Sequence, residues 1–154
     1  IDYWAEHLEE EITQFLSLRF EAANQSAGIL LDTQAAPDIG ATNVVVAVLR
    51  GVTAAAWTGH RPFKGRQRAN DLFDWRLARA GKGVELTFGS GVEQGNDVRI
   101  MAASAEIYAC WSDDVPSDIP DYLDEKRRLQ DGLAQWNSRI EVRGISQLVG
   151  QPTL

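Results

Sequence analysis

Apolar residues recur with a helical period at the start of the chain. Five of them are spaced mostly three or four residues apart: Trp4, Leu8, Ile12, Phe15 and Leu16. Such spacing is typical of an amphipathic helix. Glutamates fill most of the positions between them and suit the positive end of a helix. The pattern predicts a helix that begins near Asp2 and ends near Ala23.

The next part of the chain has the pattern of short strands separated by turn residues. Residues 29–31 form a short apolar run, and residues 43–52 form a nearly continuous one that predicts a strand inside a sheet. Residues 53–59 are ambiguous, because their alanines favour a helix while Thr53 and Trp57 favour a strand. We interpret this segment as a strand.

A second helix is predicted over residues 65–80. Its apolar members are Leu72, Phe73, Trp75 and Leu77. Gly81 and Gly83 follow as helix stop signals. After them, residues 84–92 predict a strand, residues 93–97 a turn, and residues 98–111 a long antiparallel partner with a possible bulge or bend at its alanines. The more apolar side of this partner is expected to face the core: Arg99, Met101, Ala103, Ala105, Ile107, Ala109 and Trp111.

A third helix is predicted over residues 119–136, after a helix-start signal at Ser117 or Asp118 ahead of Pro120. Residues 139–149 then predict a last strand with a break at Gly144. Together the elements predict an α+β fold, with a mainly antiparallel sheet covered by two or three helices. Nine residues on apolar periodic faces are expected in the core: Trp4, Leu8, Ile12, Val46, Val48, Ile107, Leu123, Leu129 and Ile140.

Size and composition are those of one globular domain. The chain has 154 residues, of which 44% are hydrophobic and 24% are charged, as in ordinary folded domains. We assign residues 1–150 to a single α+β domain and residues 151–154 to a C-terminal tail. The formal net charge of -7 makes nucleic acid an unlikely partner. No apolar run is long enough to cross a bilayer, so we expect a cytoplasmic or virion-associated protein with no membrane partner.

Candidate catalytic chemistry is sparse. The chain has two histidines and one cysteine, and we interpret Cys110 as a buried structural thiol. HExxH and GxSxG motifs are absent, and Gly89, Gly91 and Gly95 do not have the spacing of a dinucleotide-binding loop. The acidic segment 112–124 could hold a hard cation, but helix capping and solvation explain it better. We therefore assign no catalytic residue, no metal and no cofactor.

One segment stands out by its charge. Residues 60–82 carry seven of the fifteen basic side chains. The candidate binding patch within it comprises His60, Arg61, Lys64, Arg66 and Arg68. These side chains could bind phosphate or an acidic partner surface, or they could be solvated and paired with acidic groups elsewhere on the chain.

The order of elements and one local pattern resemble a known family. Residues 105–108, residues 115–118 and the predicted helix over residues 121–133 are similar to segments of the tail-terminator, or tail-completion, proteins of long-tailed phages. The resemblance implies a ring-forming protein that binds the end of the tail tube and neighbouring connector proteins and has no enzymatic activity.

The sequence therefore predicts a noncatalytic assembly or protein-binding component that self-associates or binds a protein partner. A ring-forming tail-completion protein is one form of this hypothesis. Two alternatives stay open: a small hydrolase that uses carboxylates and a metal, and an acidic, inhibitor-type binding module that targets a basic protein. The lack of a catalytic constellation favours the noncatalytic role over the hydrolase.

Overall fold

The computed structural model describes residues 3–8, 13–36, 41–58, 70–90, 98–116 and 133–150. They contain one short helix, α1 (Tyr3–Glu6), a 3₁₀ turn (Ala22–Asn24) and nine strands. The strands are β1 (Gln14–Glu21), β2 (Ser26–Asp32), β3 (Val44–Arg50), β4 (Ala54–Trp57), β5 (Asn70–Ala80), β6 (Gly83–Ser90), β7 (Val98–Ala102), β8 (Ser104–Trp111) and β9 (Glu141–Val149).

The nine strands form two antiparallel sheets. Their hydrogen-bonded order is β4-β7-β6-β5-β1-β2-β3-β8-β9. The link between β5 and β1 consists of only two residue pairs, Gln14 with Asp71 and Phe15 with Asn70. We therefore describe β1-β2-β3-β8-β9 as the first sheet and β5-β6-β7-β4 as the second. The predicted α+β fold with two or three covering helices is wrong, because most of the described chain is strand and its one α-helix has four residues.

Two strands continue from one sheet into the other at a common corner. β3 turns into β4 at Gly51, and β7 turns into β8 at Ala103. The amide of Ala103 donates to the carbonyl oxygens of Arg50, at 2.9 Å, and of Gly51, at 3.1 Å. Gly51 has a φ of 64°, and a Cβ atom there would lie 2.9 Å from the Cβ of Ala103. Strand switching of this kind makes the corners of orthogonally packed sheets.

The main core lies between the two sheets. It contains alternate residues of the first sheet, such as Ile29, Val45 and Ile107, and of the second sheet, such as Leu86 and Ile100. The predicted burial of Leu8 and Ile107 is confirmed. Trp4, Val46 and Val48 are half-buried, and Ile140, at 45% exposure, is not a core residue. Ile12, Leu123 and Leu129 lie outside the described residues.

The first predicted helix is wrong over residues 14–21, which form β1 and pair with β2. A bulge explains the misleading pattern. The register shifts between Phe15 and Ser17, so that Leu16 is an extra residue in the ladder. Phe15 packs in the inter-sheet core, whereas Leu16 packs against a smaller cluster on the opposite face of the first sheet. The extra residue leaves Phe15 and Leu18, three positions apart, on the same core, and this spacing mimics a helical period.

The second predicted helix is also wrong, because residues 70–80 form β5. A register shift lies between Phe73 and Arg76, and Asp74 within it has a φ of 49°. This irregularity interrupts the alternation of apolar residues. The expected helix stop is a two-residue hairpin loop instead, since Ala80 pairs with Gly83 and Gly81 has a φ of 58°. A positive φ at the first loop residue is the requirement of a type II′ turn.

The long strand predicted over residues 98–111 is two strands, and the bend expected at its alanines is confirmed at Ala103. The predicted core side is correct for β8, where Ala105, Ile107 and Ala109 are buried, and wrong for β7. In β7 the residues that face the core are Val98, Ile100 and Ala102. The bend at Ala103 shifts the alternation by one residue.

The remaining strand predictions are confirmed by β2, β3, β4, β6 and β9. The ladder of β9 continues past Gly144, and its irregularity is a bulge at Arg143. Residues 119–132 of the predicted third helix lie outside the described part of the chain, and residues 133–136 at its end are not helical. The tail at residues 151–154 is not among the described residues, and the single-domain assignment stays a prediction.

A smaller cluster covers part of the outer face of the first sheet. It joins buried residues of the strands to the segments around Val115 and Ala134: Leu30, Val44 and Cys110 belong to it. Trp136 packs beside them, and a Cβ atom on Gly28 would lie 2.9 Å from its ring. The indole Nε1 of Trp136 donates to the Ser17 Oγ at 2.9 Å. Because Gly28 has no side chain, the Trp136 ring can pack directly on the sheet at this position.

Candidate protein-binding surfaces

The five candidate binding residues of the basic segment, His60, Arg61, Lys64, Arg66 and Arg68, lie outside the described residues. Their geometry is therefore not part of the site described below. Three other basic residues of the same segment are exposed on or beside β5: Arg76, Arg79 and Lys82. Of these, Arg79 donates from Nε to the carbonyl oxygen of Val149 at 3.2 Å.

Among the described strands, β4 is the edge strand of the second sheet. Each of its four residues is exposed, and none carries a charge. It pairs with β7 from Ala54 opposite Met101 to Trp57 opposite Val98. Edge strands in monomeric proteins are often protected by a lysine, a proline, a bulge or a covering segment. β4 has neither a lysine nor a proline, and its pairing with β7 has no register shift.

Trp57 forms the end of β4 and is 54% exposed. Its ring centroid lies 6.3 Å from that of Phe15, which lies 5.3 Å from that of Phe88. Phe15 and Phe88 are both buried in the inter-sheet core. Trp57 thus contacts a core residue on one side, while about half of its surface is exposed to solvent. A large aromatic side chain in this arrangement is a common anchor in protein interfaces.

Strand β9 ends the strand order on the first sheet and has a different character. The bulge at Arg143 places Val142 opposite Cys110 and Ile145 opposite Tyr108, on one face of the sheet. Val149 shares that face, and the three side chains are 47%, 52% and 58% exposed in chain order. The apolar surface of β9 is therefore a sheet face, next to a backbone edge that bears a bulge.

The charges of β9 lie at its bulge. Arg143 donates from Nη1 to the carbonyl oxygen of Ala41 at 2.6 Å, and its Cζ lies 4.8 Å from the ring centre of Trp111. Its Nη2 is 3.7 Å from the Oε2 of Glu141. At the other end of the strand, Arg79 occupies the carbonyl oxygen of Val149. These contacts protect the edge of β9, and the described residues make no comparable contact with Ala54–Trp57.

A polar network lies beside the apolar residues of β9, on the same face. Glu106 Oε2 accepts from Arg50 Nε and from the Tyr108 hydroxyl, both at 2.9 Å, and its Oε1 accepts from Gln147 Nε2 at 3.3 Å. Partial burial acts to raise the pKa of Glu106, but the hydrogen bonds from Arg50 and Tyr108 outweigh it and lower the pKa. The carboxylate is thus held in its charged form.

The same network also shifts the pKa values of Arg50 and Tyr108. The hydrogen bond to Glu106 raises the pKa of Arg50, and partial burial, with the neighbouring carboxylate, raises the pKa of Tyr108. A carboxylate that already accepts three hydrogen bonds and has a lowered pKa is a poor general base. The network is better suited to fixing β3, β8 and β9 together than to proton transfer.

The other candidate chemical groups have structural roles where they are described. Asp113 Oδ1 accepts from Trp111 Nε1, and Asp114 Oδ2 accepts from the amide of Arg139, each at 2.8 Å. Among the described residues, no three His, Cys, Asp or Glu side chains are grouped to hold a metal ion. The remaining aspartates of the acidic segment, Asp118, Asp121 and Asp124, lie outside that part of the chain.

The predicted burial of Cys110 is confirmed. Burial raises the pKa of its thiol to about 11, so that little thiolate forms at neutral pH. His7 is stacked on Tyr3 with ring centroids 4.2 Å apart, and its Nδ1 lies 3.0 Å from the carbonyl oxygen of Tyr3. Both groups thus contribute to the packing of the chain.

Comparisons with known proteins gave no match. The chain matches no protein-family model, no curated protein and no solved structure. No described helix is long and apolar enough to cross a membrane.

Sequence reasoning missed both described surfaces. For β4 a signal was present, since the stretch from Gly51 to Gly59 contains no charged residue. The Arg50–Glu106 pair gave no such signal, because the two residues are 56 positions apart and meet only through the pairing of β3 with β8.

Proposed function

We propose that this chain is a noncatalytic assembly or protein-binding component, and that edge strand β4 is its docking element. The observation that carries the proposal is the exposure of all four uncharged residues of β4, with Trp57 anchored on the core and 54% exposed. An exposed edge with an aromatic anchor offers backbone hydrogen bonds and apolar area to a protein partner.

The described acidic and polar groups support this role over a hydrolytic one. Asp113 accepts a hydrogen bond from Trp111 in β8, Asp114 accepts one from the amide of Arg139, and Glu106 accepts three from residues of β3, β8 and β9. Carboxylates that act as general acids or bases need a pKa near the working pH. The pKa of Glu106 is instead lowered.

The native mass, measured by sedimentation over a range of concentrations, tests the proposal. We expect species heavier than the 17.0 kDa chain, in proportions that rise with concentration. Ala55→Lys should shift them towards the monomer, since a lysine on an edge strand blocks pairing. Ile145→Lys is the matched control, because it adds the same charge to an exposed position on β9 and should leave the masses unchanged.

The opposite results would contradict the proposal. A strict monomer with metal-dependent hydrolysis, abolished by an Asp113 or Asp118 substitution, would support the hydrolase alternative instead. Loss of association in Ile145→Lys, with normal association in Ala55→Lys, would move the docking surface to the face of β9.

The same measurement tests the basic candidate patch. If it contacts an acidic surface, the quadruple alanine variant of Arg61, Lys64, Arg66 and Arg68 should associate more slowly and with a weaker dependence on ionic strength. Unchanged rates and an unchanged salt dependence would leave these side chains as solvated charges. A discrete ring, rather than a dimer or an open series, would support the narrower hypothesis of a tail-completion protein.

A further inference from the structure

We propose that β4 docks onto β4 of a second copy of this chain, as an antiparallel pair related by a two-fold axis at Ala56. This inference rests on the proposed function and specifies its partner. The paired strands would join the second sheets of two copies into one continuous sheet. A two-fold interface of this type brings the same element of each copy together.

Charge is the first argument for a second copy as the partner. The chain has a formal net charge of -7, so two copies repel each other over most of their surfaces. β4 has no charged residue. On the neighbouring strand β7, the charged residue is Arg99, which pairs with Ala56. Arg99 forms an ion pair with Glu85. As far as the described residues of this edge are concerned, two copies can therefore approach along β4 without setting like charges against each other.

The sizes of the side chains are the second argument. In an antiparallel ladder centred on Ala56, Trp57 of each copy lies opposite Ala55 of the other. Both residues belong to the face of the second sheet that faces the core, since their β7 partners, Val98 and Ile100, are buried there. The large exposed ring thus meets the small residue across the pair. A ladder centred on Ala55 would lack this match, because Trp57 would then lie opposite Thr53.

The length of β4 sets the strength of the pair. A four-residue strand with one tryptophan buries less surface than the roughly 1,600 Å² of a standard stable interface. The free chain should therefore form a reversible dimer that depends on concentration. Such an interaction suits an assembly component, in which several weak contacts act together.

A cysteine placed on the two-fold axis tests the register. Residues directly opposite each other in an antiparallel pair have Cα atoms about 4.5 or 5.5 Å apart, within the usual range for a disulfide. Ala56→Cys should therefore form a covalent dimer under mild oxidation, with twice the 17.0 kDa mass on a non-reducing gel. The exposure of Ala56 makes a folding defect unexpected, and the unfolding temperature of the reduced variant checks this.

Two controls make the result specific. In Ala54→Cys, the two cysteines would be four residues apart along the ladder, about 13 Å, which is too far for a disulfide. The unsubstituted chain measures any contribution of the buried Cys110. We expect neither control to form the covalent dimer beyond a background level.

The possible failures are distinguishable. A concentration-dependent particle that Ala55→Lys disrupts, without a covalent dimer in Ala56→Cys, would overturn the two-fold pairing and leave the proposed function intact. Preferential crosslinking of Ala55→Cys would overturn the register through Ala56. A strict monomer at every soluble concentration would overturn the pairing and the self-association together.

Discussion

Among the described strands, β4 is the edge of the second sheet and β9 is the edge of the first. The two strands differ in charge, in the regularity of their ladders and in the side chains that contact their backbones. β9 has nine residues, a charged bulge at Arg143 and an arginine on the carbonyl oxygen of Val149. β4 has four uncharged residues and a regular ladder. Exposed apolar side chains do not by themselves distinguish the two edges, since β9 also has three.

The two strands also differ in how they are held. β9 pairs with β8 along its whole length and is connected to β3 through the Glu106 network. Within the described part of the chain, β4 pairs with β7 alone, and it continues from β3 through the corner at Gly51. Substitutions of Ile107 in the core beneath β8 and β9, of Gly51 at the corner and of Glu106 in the network should therefore have separable effects on the stability of the fold. We expect these effects to decrease in that order.

The largest effect is expected under the β8–β9 ladder. Ile107 is fully buried, opposite Ala47 on β3 and Ser146 on β9. Ile107→Ala should lower the free energy of unfolding by about 2–5 kcal/mol, because the cavity cannot collapse completely. Chemical denaturation should show a lower midpoint. Ile145→Ala, on the exposed face of β9, is the control and should change stability by less than about 0.5 kcal/mol. An unchanged midpoint with an unchanged slope in Ile107→Ala would contradict the placement of this residue.

A smaller loss is expected at the corner that leads into β4. Gly51→Ala places a Cβ atom at a φ of 64° and 2.9 Å from the Cβ of Ala103. Strain and crowding together should cost about 1–3 kcal/mol. Gly81→Ala is a matched control, because Gly81 has a similar φ of 58° but open space where the Cβ would be. The difference between the two variants in thermal unfolding isolates the crowding at the corner. Equal losses would mean that Ala103 can move aside, and that the corner does not hold β4 tightly.

Local bulges explain why two strands were predicted as helices. β2, β3 and β6 have regular alternation or continuous apolar runs, and these patterns are sufficient to identify strands. β1 and β5 have bulges at Leu16 and near Asp74, which shift the alternation towards a helical period. A bulge depends on the partner strand, so that a single chain segment does not reveal it.

The candidate surfaces were harder to predict for a related reason. An edge strand is defined by the partner it lacks, and this property depends on the order of strands in the sheet. The segment around β4 could be recognised as uncharged and as a strand, but its place at the end of the order required the pairing of β7 with β6 and β4. The Glu106 network needed the register between β3, β8 and β9 in the same way.

The smallest effect is expected in the network that joins β9 to β3, and it depends on pH. The folded chain lowers the pKa of Glu106 below its ordinary value of 4.5. A lowered pKa in the folded state contributes stability that is fully present above the unfolded pKa and is lost as the pH falls through the folded pKa. Because the network is partly exposed, the contribution should be about 1 kcal/mol or less. Thermal unfolding of the native chain and of Glu106→Gln, measured from pH 7 down to pH 3, tests this expectation.

The two proteins should differ most near neutral pH and converge as the pH falls below 4.5, where protonation removes the charge that Arg50 binds in the native chain. Tyr108→Phe is the control variant, since it removes one hydrogen bond to Glu106 but keeps the Arg50 contact and should retain most of the pH dependence. A constant difference between the native chain and Glu106→Gln across the whole range would show that the carboxylate charge does not stabilise β9. The edge of β9 would then owe its protection to Arg143 and Arg79 alone among the contacts described above.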